Sequence, residues 1–508
     1  MAVKLGNGNW AVKEDKLLAY NDNSGLFFNK EFDFSRGTSA TYVAKDGLIK
    51  TAGLQPNIVT NGDFATDSDW TKGSGWSISG GKAVGSATGA SLYQADGANY
   101  TSGKLYKITF EVSDYVSGSV RPEITNVAGS YVSSNGVFVQ YITATSSPIG
   151  AELKGSTFTG SVDNVTVQEI QTDTPRIDFT NDTKGHLLLE PSSTNVIENS
   201  EVTSTWTYTE FGSGSAGTIT TGKTDMFGGT NAVQIDFPAD TENVAFRFGQ
   251  STSSISSGSV ATSVYIKLVE NGSKTLQLRA SSAVVSLINV NSTDFVRYEM
   301  TGTKNSSEAF NLKLRPSEGT SSGGFSIIIC HPQEEALSYP TSYIPTTGAA
   351  STRNADVCNN SGSAQDFNSE EGVLYAEIAA LADDGTSRQM AISDGSTSNR
   401  VILQYHNTSN LIRAVIVSGG STQADMSFTV SDTTEFNKIA ITYKQNDFGL
   451  WIGGVKRRTD LVGNAPSGLD RLNFDRGDGS TIFIQAKVRN VQVFTEALTD
   501  EQLENLTS

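Results

Sequence analysis

The sequence predicts an all-β protein of tandem antiparallel β-sandwiches with one short carboxyl-terminal helix. Three observations carry that expectation. Runs such as Tyr106-Lys107-Ile108-Thr109-Phe110-Glu111-Val112, Ser263-Val264-Tyr265-Ile266-Lys267-Leu268-Val269 and Lys438-Ile439-Ala440-Ile441-Thr442-Tyr443-Lys444 alternate with period two, the pattern of a strand with one face in a core. Gly, Asn, Asp and Ser bound such runs along the chain, as the turns of sandwiches require. Helical periodicity is nearly absent until Thr499-Asp500-Glu501-Gln502-Leu503-Glu504-Asn505-Leu506, where Thr499 as N-cap and Gln502 three residues later form a capping-box arrangement.

At roughly 100 to 200 residues per domain, the 508 residues suggest about three to five domains. The 37 Lys and Arg against 54 Asp and Glu leave a net charge of −17, which disfavours duplex DNA and anionic membranes as partners. Because only 18% of residues are charged, the surface must be covered largely by Ser, Thr, Asn and Gly. The 24 Phe, 16 Tyr and the Val/Ile runs supply several small cores, so disorder throughout is not expected.

Two cysteines, Cys330 and Cys358, allow no disulfide framework and no Cys-rich zinc site. His186, His331 and His406 lie far apart without metal-ligand spacing, and Cys330 beside His331 reads as a strand-end coincidence. The start, Met1-Ala2-Val3-Lys4-Leu5-Gly6, lacks the apolar core of a secretory signal, and no run approaches the about 18 apolar residues that span a bilayer. The chain is expected to be soluble, made in the cytoplasm and not exported by a simple signal.

Residues 1–55 read as an amino-terminal attachment or lead-in segment. Its apolar run Gly25-Leu26-Phe27-Phe28 is either a docking element for a partner subunit or the first strand of the fold. An internal repeat follows. Phe32-Asp33-Phe34-Ser35, Asp46-Gly47-Leu48-Ile49 and Gln55-Pro56-Asn57-Ile58-Val59 lead to Trp70, and Ile177-Asp178-Phe179-Thr180, Lys184-Gly185-His186-Leu187-Leu188-Leu189 and Glu190-Pro191 lead through Asn195-Val196-Ile197 to Trp206. Each copy opens a Ser/Thr/Gly-rich strand region, which places a first sandwich at 56–170, an extended linker repeat at 171–195 and a second sandwich at 196–358. The polar stretch Asn359-Asn360-Ser361-Gly362-Ser363 separates a third module at 365–508, which opens with Gly372-Val373-Leu374-Tyr375-Ala376-Glu377-Ile378.

These residues carry three resemblances. Asn61-Gly62-Asp63-Phe64 with Trp70 and Trp76, closed by Val162-Asp163-Asn164-Val165-Thr166-Val167, resembles carbohydrate-binding modules of the jelly-roll type. The third module is similar to concanavalin-A-like, laminin-G-like domains. The cues are Lys438-Ile439-Ala440-Ile441-Thr442-Tyr443, the hairpin into Gly449-Leu450-Trp451-Ile452-Gly453-Gly454, and the closing strand Val488-Arg489-Asn490-Val491-Gln492-Val493-Phe494. A third set resembles tail-fibre and other appendage proteins of tailed bacteriophages: Phe34-Ser35-Arg36-Gly37-Thr38-Ser39-Ala40-Thr41, Pro175-Arg176-Ile177-Asp178-Phe179, Leu189-Glu190-Pro191-Ser192-Ser193-Thr194-Asn195, and Tyr339-Pro340-Thr341-Ser342-Tyr343-Ile344-Pro345-Thr346-Thr347-Gly348. In that family the first two stretches usually lie close together. Here the first sandwich separates them, like a module inserted into the family's amino-terminal segment.

A hydrolase built on a laminin-G-like sandwich needs an acid and a nucleophile about 5 Å apart if it retains configuration. The third module has no Glu-x-Asp-x-x-Glu arrangement, and adjacent Glu370 and Glu371 would point to opposite faces of a strand. Neither a nucleophile elbow nor a phosphate-cradling Gly-rich loop before a helix is present. Sugar recognition asks less, an aromatic face with a few amide or carboxylate groups. Trp76, Tyr93, Tyr208, Tyr405 and Trp451 are the candidates, with Trp206 beside Tyr208. A tryptophan in a sandwich is more often core, and the equivalence of Trp70 and Trp206 in the repeat favours a shared packing role for them. Asp394, Asp475 and Asp478 sit in Asp/Gly segments that can offer oxygens to calcium, although ordinary turns account for the same pattern. No other cofactor is expected.

The phage resemblance implies a non-enzymatic virion protein assembled in the host cytoplasm. It implies a fibre or other appendage, homotrimeric, in contact with other virion proteins and presenting sandwiches to host surface glycan. Nucleic-acid binding and membrane insertion are not expected. Two alternatives stay open: a capsid-decorating or head-fibre protein that stabilises the shell, and an accessory protein of glycan degradation.

Overall fold

The computed structural model describes residues 2–7, 11–13, 16–18, 31–200, 207–211, 218–238, 245–255, 257–279, 285–304, 308–316 and 324–508. The apolar run 25–28 lies outside them. The described strands all pair antiparallel, and the one α-helix among the described residues is Asp500–Thr507. Its capping box is formed: the Gln502 N–H donates to Thr499 Oγ1 at 3.3 Å and the Thr499 N–H to Gln502 Oε1 at 2.9 Å. No helix among the described residues is long and apolar enough to cross a membrane.

Two compact units interleave along the sequence. Unit 1 gathers Met1–Gly47, Thr172–Ser192 and Arg353–Ser508, and unit 2 gathers Leu48–Gln171 and Ser193–Thr352.

In unit 2 the first sandwich is built on two 20-residue strands, Leu105–Ile124 and Ala151–Ile170, which pair over most of their length. At about 3.3 Å per residue, a straight strand of that size would overrun a small core. Register shifts around Asp114 and Gly118, both at positive φ, fold the pair over. Tyr106, Ile108, Phe110 and Val112 from one half and Val120 and Ile124 from the other therefore enter the same core. The second sandwich places a sheet containing Ala232–Phe237, Phe325–Glu335 and Gly258–Leu268 beside one containing Ala245–Ile255 and Lys274–Arg279. Its core includes Val233, Ile235, Val264, Leu276 and Ile327.

Unit 1 is a third sandwich. One sheet runs in the order Ile177–Asp178, His186–Leu188, Ala486–Phe494, Glu371–Ala380, Asn437–Lys444, Phe448–Ile452 and Val455–Asp460, with Ala2–Asn7 also on Ala486–Phe494. The other runs Ser421–Thr429, Leu411–Ser418, Arg400–Tyr405, Arg388–Ser393 and Arg471–Asn473. Their shared core holds Leu374, Met390, Leu403 and Ile441, but also Phe32, Phe34, Leu187, Leu189 and Cys358. The boundary expected at 359–363 thus falls inside this unit. Val357–Asn359 pairs with Glu31–Ser35, and Ser361 exchanges backbone hydrogen bonds with Leu472 at 3.0 and 2.8 Å. Parity explains why: Phe32 and Phe34 are buried while Asp33 and Ser35 between and after them are exposed, so part of what reads as a lead-in is a half-buried strand.

The phage-like stretches within unit 1 meet in a buried ion network. Arg176 Nη1 lies 2.7 Å from Glu190 Oε2 and Arg353 Nη1 lies 2.8 Å from the same oxygen. Arg176 Nη2 also pairs with Asp356, whose other oxygen is 3.0 Å from Arg36 Nη1. Arg36 Nη2 donates in addition to the carbonyls of Thr172 and Thr174, and Arg353 Nη2 to that of Pro191. Burial lowers the Arg36 pKa to about 10, a shift that Asp356 only partly offsets. For Arg176 the desolvation is outweighed by Asp356 and Glu190, which raise its pKa. The fourth phage-like stretch lies in unit 2, where Asn195 Nδ2 donates to the Ile344 carbonyl at 2.9 Å and Thr346 Oγ1 to that of Ile197 at 2.5 Å.

A second charged cluster in unit 1 sets a pH dependence. Asp182 Oδ2 is 3.1 Å from Arg489 Nε and 3.0 Å from His186 Nδ1. Burial alone would raise the Asp182 pKa, but the hydrogen bonds from Arg489 and His186 outweigh it and hold the carboxyl at about 2. A folded pKa below the unfolded one stabilises the folded state at every pH above the unfolded pKa, near 4, and that stabilisation is lost as pH falls through about 2. This group is expected to contribute about 2 kcal/mol. Chemical denaturation at pH 6 and pH 2 should show a smaller acid-induced loss for Asp182→Asn than for the parent chain. Equal losses would contradict the assignment.

Candidate functional site

The structure places most of the sequence-predicted sugar-binding aromatics in cores. Trp76 is 6% exposed, donates from Nε1 to the Ala90 carbonyl at 2.9 Å and lies 5.8 Å from the Phe158 ring. Tyr405 is 3% exposed and its hydroxyl donates to the Ile378 carbonyl at 2.9 Å. Trp451 packs with Tyr375, Ala440 and Leu503, where the terminal helix covers the outer face of the sheet. None of these three offers a ring face to a ligand. Tyr93 is half-buried, and since its neighbour Leu92 enters the core, Tyr93 points to the opposite side of the sheet from Trp76. The pair therefore forms no common platform. Tyr208 lies in the strand Thr207–Phe211, but its side chain, like the whole of Trp206, lies outside the described residues. Trp70 packs 5.2 Å from Phe64 and donates to the Asn61 carbonyl at 3.0 Å, the packing role expected of it.

The calcium candidates are turn residues. Asp394 Oδ1 accepts from the Ser396 N–H and hydroxyl, and Oδ2 from Asn399 Nδ2. Asp475 accepts from the Gly477 N–H and from Asn359 Nδ2, and Asp478 pairs with Arg476. No cluster of three or more His, Cys, Asp or Glu among the described residues is arranged to hold a metal ion. Cys330 and His331 sit inside the strand Phe325–Glu335 rather than at its end, at a register shift where His331 has φ 50°. Burial raises the pKa of the Cys330 thiol.

A different surface has the makings of a site. In the strand Gly136–Thr143, Phe138, Gln140 and Ile142 are buried in the first sandwich, and Val137, Val139 and Tyr141 occupy the outward parity. Two clefts within unit 2 adjoin that strand and share Val139, the first reaching Phe138 and Gln140 and the second lying on the outward face. One, of about 280 Å³, is bounded by Tyr131, Gln140, Asn199 and Thr347. The other, of about 310 Å³, is bounded by Lys107, Thr109, Tyr141, Phe227 and Asn231. Both sandwiches of the unit contribute walls.

The aromatic walls are held in place. Gln140, 6% exposed, accepts the Ser130 N–H at 2.7 Å and donates to the Ser130 carbonyl at 2.8 Å, which fixes the start of the loop that carries Tyr131. Tyr131 itself is 45% exposed, with the Arg121 guanidinium 4.7 Å from its ring. On the facing wall, the buried Asp225 carboxylate accepts the N–H groups of Phe227, Gly229 and Asn231 at 2.8, 3.0 and 2.9 Å. Gly228 at φ +80° lets the chain close that turn. Phe227 is backed by the His331 ring at 5.1 Å and covered by Lys107 Nζ at 5.3 Å. Such a surface combines ring faces with hydroxyl and amide groups, which is the chemistry that binds sugars.

No protein-family model and no curated protein matches the chain. Among solved structures, the N-terminal CBM22-1–CBM22-2 tandem domain from Paenibacillus barcinonensis Xyn10C is similar to 56% of this chain and covers 98% of its own, at 8% identity and a TM-score of 0.20. A likeness that slight carries no conclusion.

Tyr131, Tyr141 and Phe227 did not stand out in the sequence. The available signal was Val137-Phe138-Val139-Gln140-Tyr141-Ile142, which is apolar on both parities and therefore marks a strand covered, or waiting to be covered, on both faces.

Proposed function

We propose that the chain is a non-enzymatic structural protein of a tailed-phage virion, a fibre or other appendage that binds host surface glycan through the clefts of unit 2. The clefts carry the glycan part of this reading, because pre-set ring faces and convergent polar groups lie together there and nowhere among the sequence-predicted aromatics that are described. The phage part rests on the four sequence stretches. Trimerisation with other copies of the chain belongs to the same proposal.

Replacing both Tyr131 and Tyr141 with Ala is expected to weaken binding to an array of bacterial surface glycans by at least tenfold, since each lost ring contact is worth roughly 1 kcal/mol. The thermal midpoint should stay where it is. Undiminished binding by the folded double variant would put the site elsewhere. Antibody labelling of particles tests the virion role. Label on tails or isolated fibres supports an appendage, label on every capsomer favours the decoration reading, and absence from particles favours an accessory of glycan degradation.

A further inference from the structure

We infer that Asn271 is a site of spontaneous deamidation, the Asn-Gly step of unit 2 that the fold leaves open to reaction. The inference is independent of the glycan reading. Asparagine followed by glycine is prone to this chemistry because no Cβ shields the backbone nitrogen that must attack. The sequence holds four such steps, at Asn7, Asn61, Asn135 and Asn271. Gly8 lies outside the described residues, and the structure separates the other three by how firmly each is held.

Asn61 is locked. Its Nδ2 donates to the carbonyls of Thr66 and Ser68 at 2.8 and 2.9 Å, and its Oδ1 accepts the Thr66 N–H at 3.2 Å. Gly62 is walled in as well, since a Cβ there would stand 2.0 Å from the Val165 carbonyl oxygen. Asn135 is held by one bond: its Oδ1 accepts the Tyr115 N–H at 2.9 Å, and Gly136 already lies in the ladder opposite Val112. Asn271 stands in the connection between the strands Gly258–Leu268 and Lys274–Arg279. Asn271 and Gly272 are exposed, and Asn271 forms no hydrogen bond with any described residue. A Cβ on Gly272 would meet nothing within 4 Å, so the Asn271 side chain has room to swing onto the Gly272 nitrogen. Gly272 sits at φ +139°, which glycine adopts without strain, so the turn itself calls for the residue that makes the step labile.

The Gly272 nitrogen gives up its proton to solvent base and attacks Asn271 Cγ. A new C–N bond forms, the Cγ–Nδ2 bond breaks, and Nδ2 takes a proton from water and leaves as ammonia. Water then opens the cyclic imide at Cγ to give aspartate, or at the main-chain carbonyl carbon to give isoaspartate. No oxidant or reductant takes part. Both products put a carboxylate beside Glu270, and isoaspartate also lengthens by one methylene the link between the two sheets of the second sandwich.

The test is a peptide map of the full chain after incubation at pH 6 and at pH 9, folded and in urea. In the folded chain the peptide that carries Asn271 should gain about 1 Da and divide into aspartate and isoaspartate forms, faster at pH 9. It should outpace Asn135 by about fivefold and Asn61 by more, because one ordinary hydrogen bond must open first at Asn135 and three at Asn61. In urea, where those bonds are gone, the three rates should draw to within about threefold of one another. An Asn271 that stays intact in the folded chain at pH 9 would overturn the inference. So would a folded chain in which Asn61 or Asn135 reacts as fast, or a spread of rates that unfolding leaves unchanged.

Discussion

Arg176→Ala is expected to destabilise unit 1 by about 3–5 kcal/mol, the range found when one partner of a buried ion pair is removed. The size follows from what stays behind. Glu190 and Asp356 are both 3% exposed, and without Arg176 each loses its shortest cationic contact while remaining out of reach of water. Arg353 still holds Glu190 and Arg36 still holds Asp356, so the network is weakened rather than dissolved. Replacement of Lys456, which pairs with Asp500 on the surface, should by contrast change stability little. Urea denaturation of the two variants beside the parent chain decides the matter. A loss below about 1 kcal/mol for Arg176→Ala would mean that the network's attraction merely balances its desolvation. Should the alanine variant not fold, Glu190→Gln keeps the shape, removes one of the two buried anions and tests the same network more gently.

That network also marks the limit of what the sequence discloses. The strands at 106–112 and 438–444 and the capping box of Thr499 and Gln502 depend on residues two to four apart, so their periodicity can be read directly. Arg36 and Asp356 are 320 positions apart and Arg176 and Asp356 are 180, and no local pattern records such pairings. Two-sided burial misleads in a related way. In the strand Gly258–Leu268, Thr262 and Ser263 are as buried as Val264, although alternation alone would put one parity in water. The same ambiguity hid the clefts and promoted the wrong rings. Leu450 enters the main core of unit 1 and Trp451 lies under the terminal helix, so a tryptophan on the outward parity is nonetheless covered. Tyr141 on the outward parity of its own strand lines a cleft, and nothing within six residues of either ring distinguishes the two cases.

The fragment 365–508, which the sequence delimits as a module, is expected not to unfold cooperatively when expressed alone. It lacks Phe32, Phe34, Leu187, Leu189 and Cys358, all buried in the core that Leu374, Met390 and Ile441 also line. Loss of a buried Phe costs about 3–5 kcal/mol and of a buried Leu about 2–5, so removing two of each costs about 10–20 kcal/mol, against about 5–15 for the whole stability of an ordinary domain. The fragment also loses the strand Glu31–Ser35 together with its partner Val357–Asn359, and His186–Leu188 from beside Ala486–Phe494. A chain made of 1–47, 172–192 and 353–508 joined by short Gly/Ser linkers restores all of these. Close to the cuts the joined segments already touch: the Phe179 N–H donates to the Val43 carbonyl at 2.9 Å, and Arg353 donates to the Pro191 carbonyl at 2.7 Å. This composite should give a sharp denaturation transition with the network of Arg36, Arg176 and Arg353 intact, while 365–508 gives a shallow, non-cooperative one or precipitates. If the short fragment unfolds as sharply and at the same denaturant concentration as the composite, the interleaved segments add nothing to the core, and the boundary near residue 360 is a true domain edge.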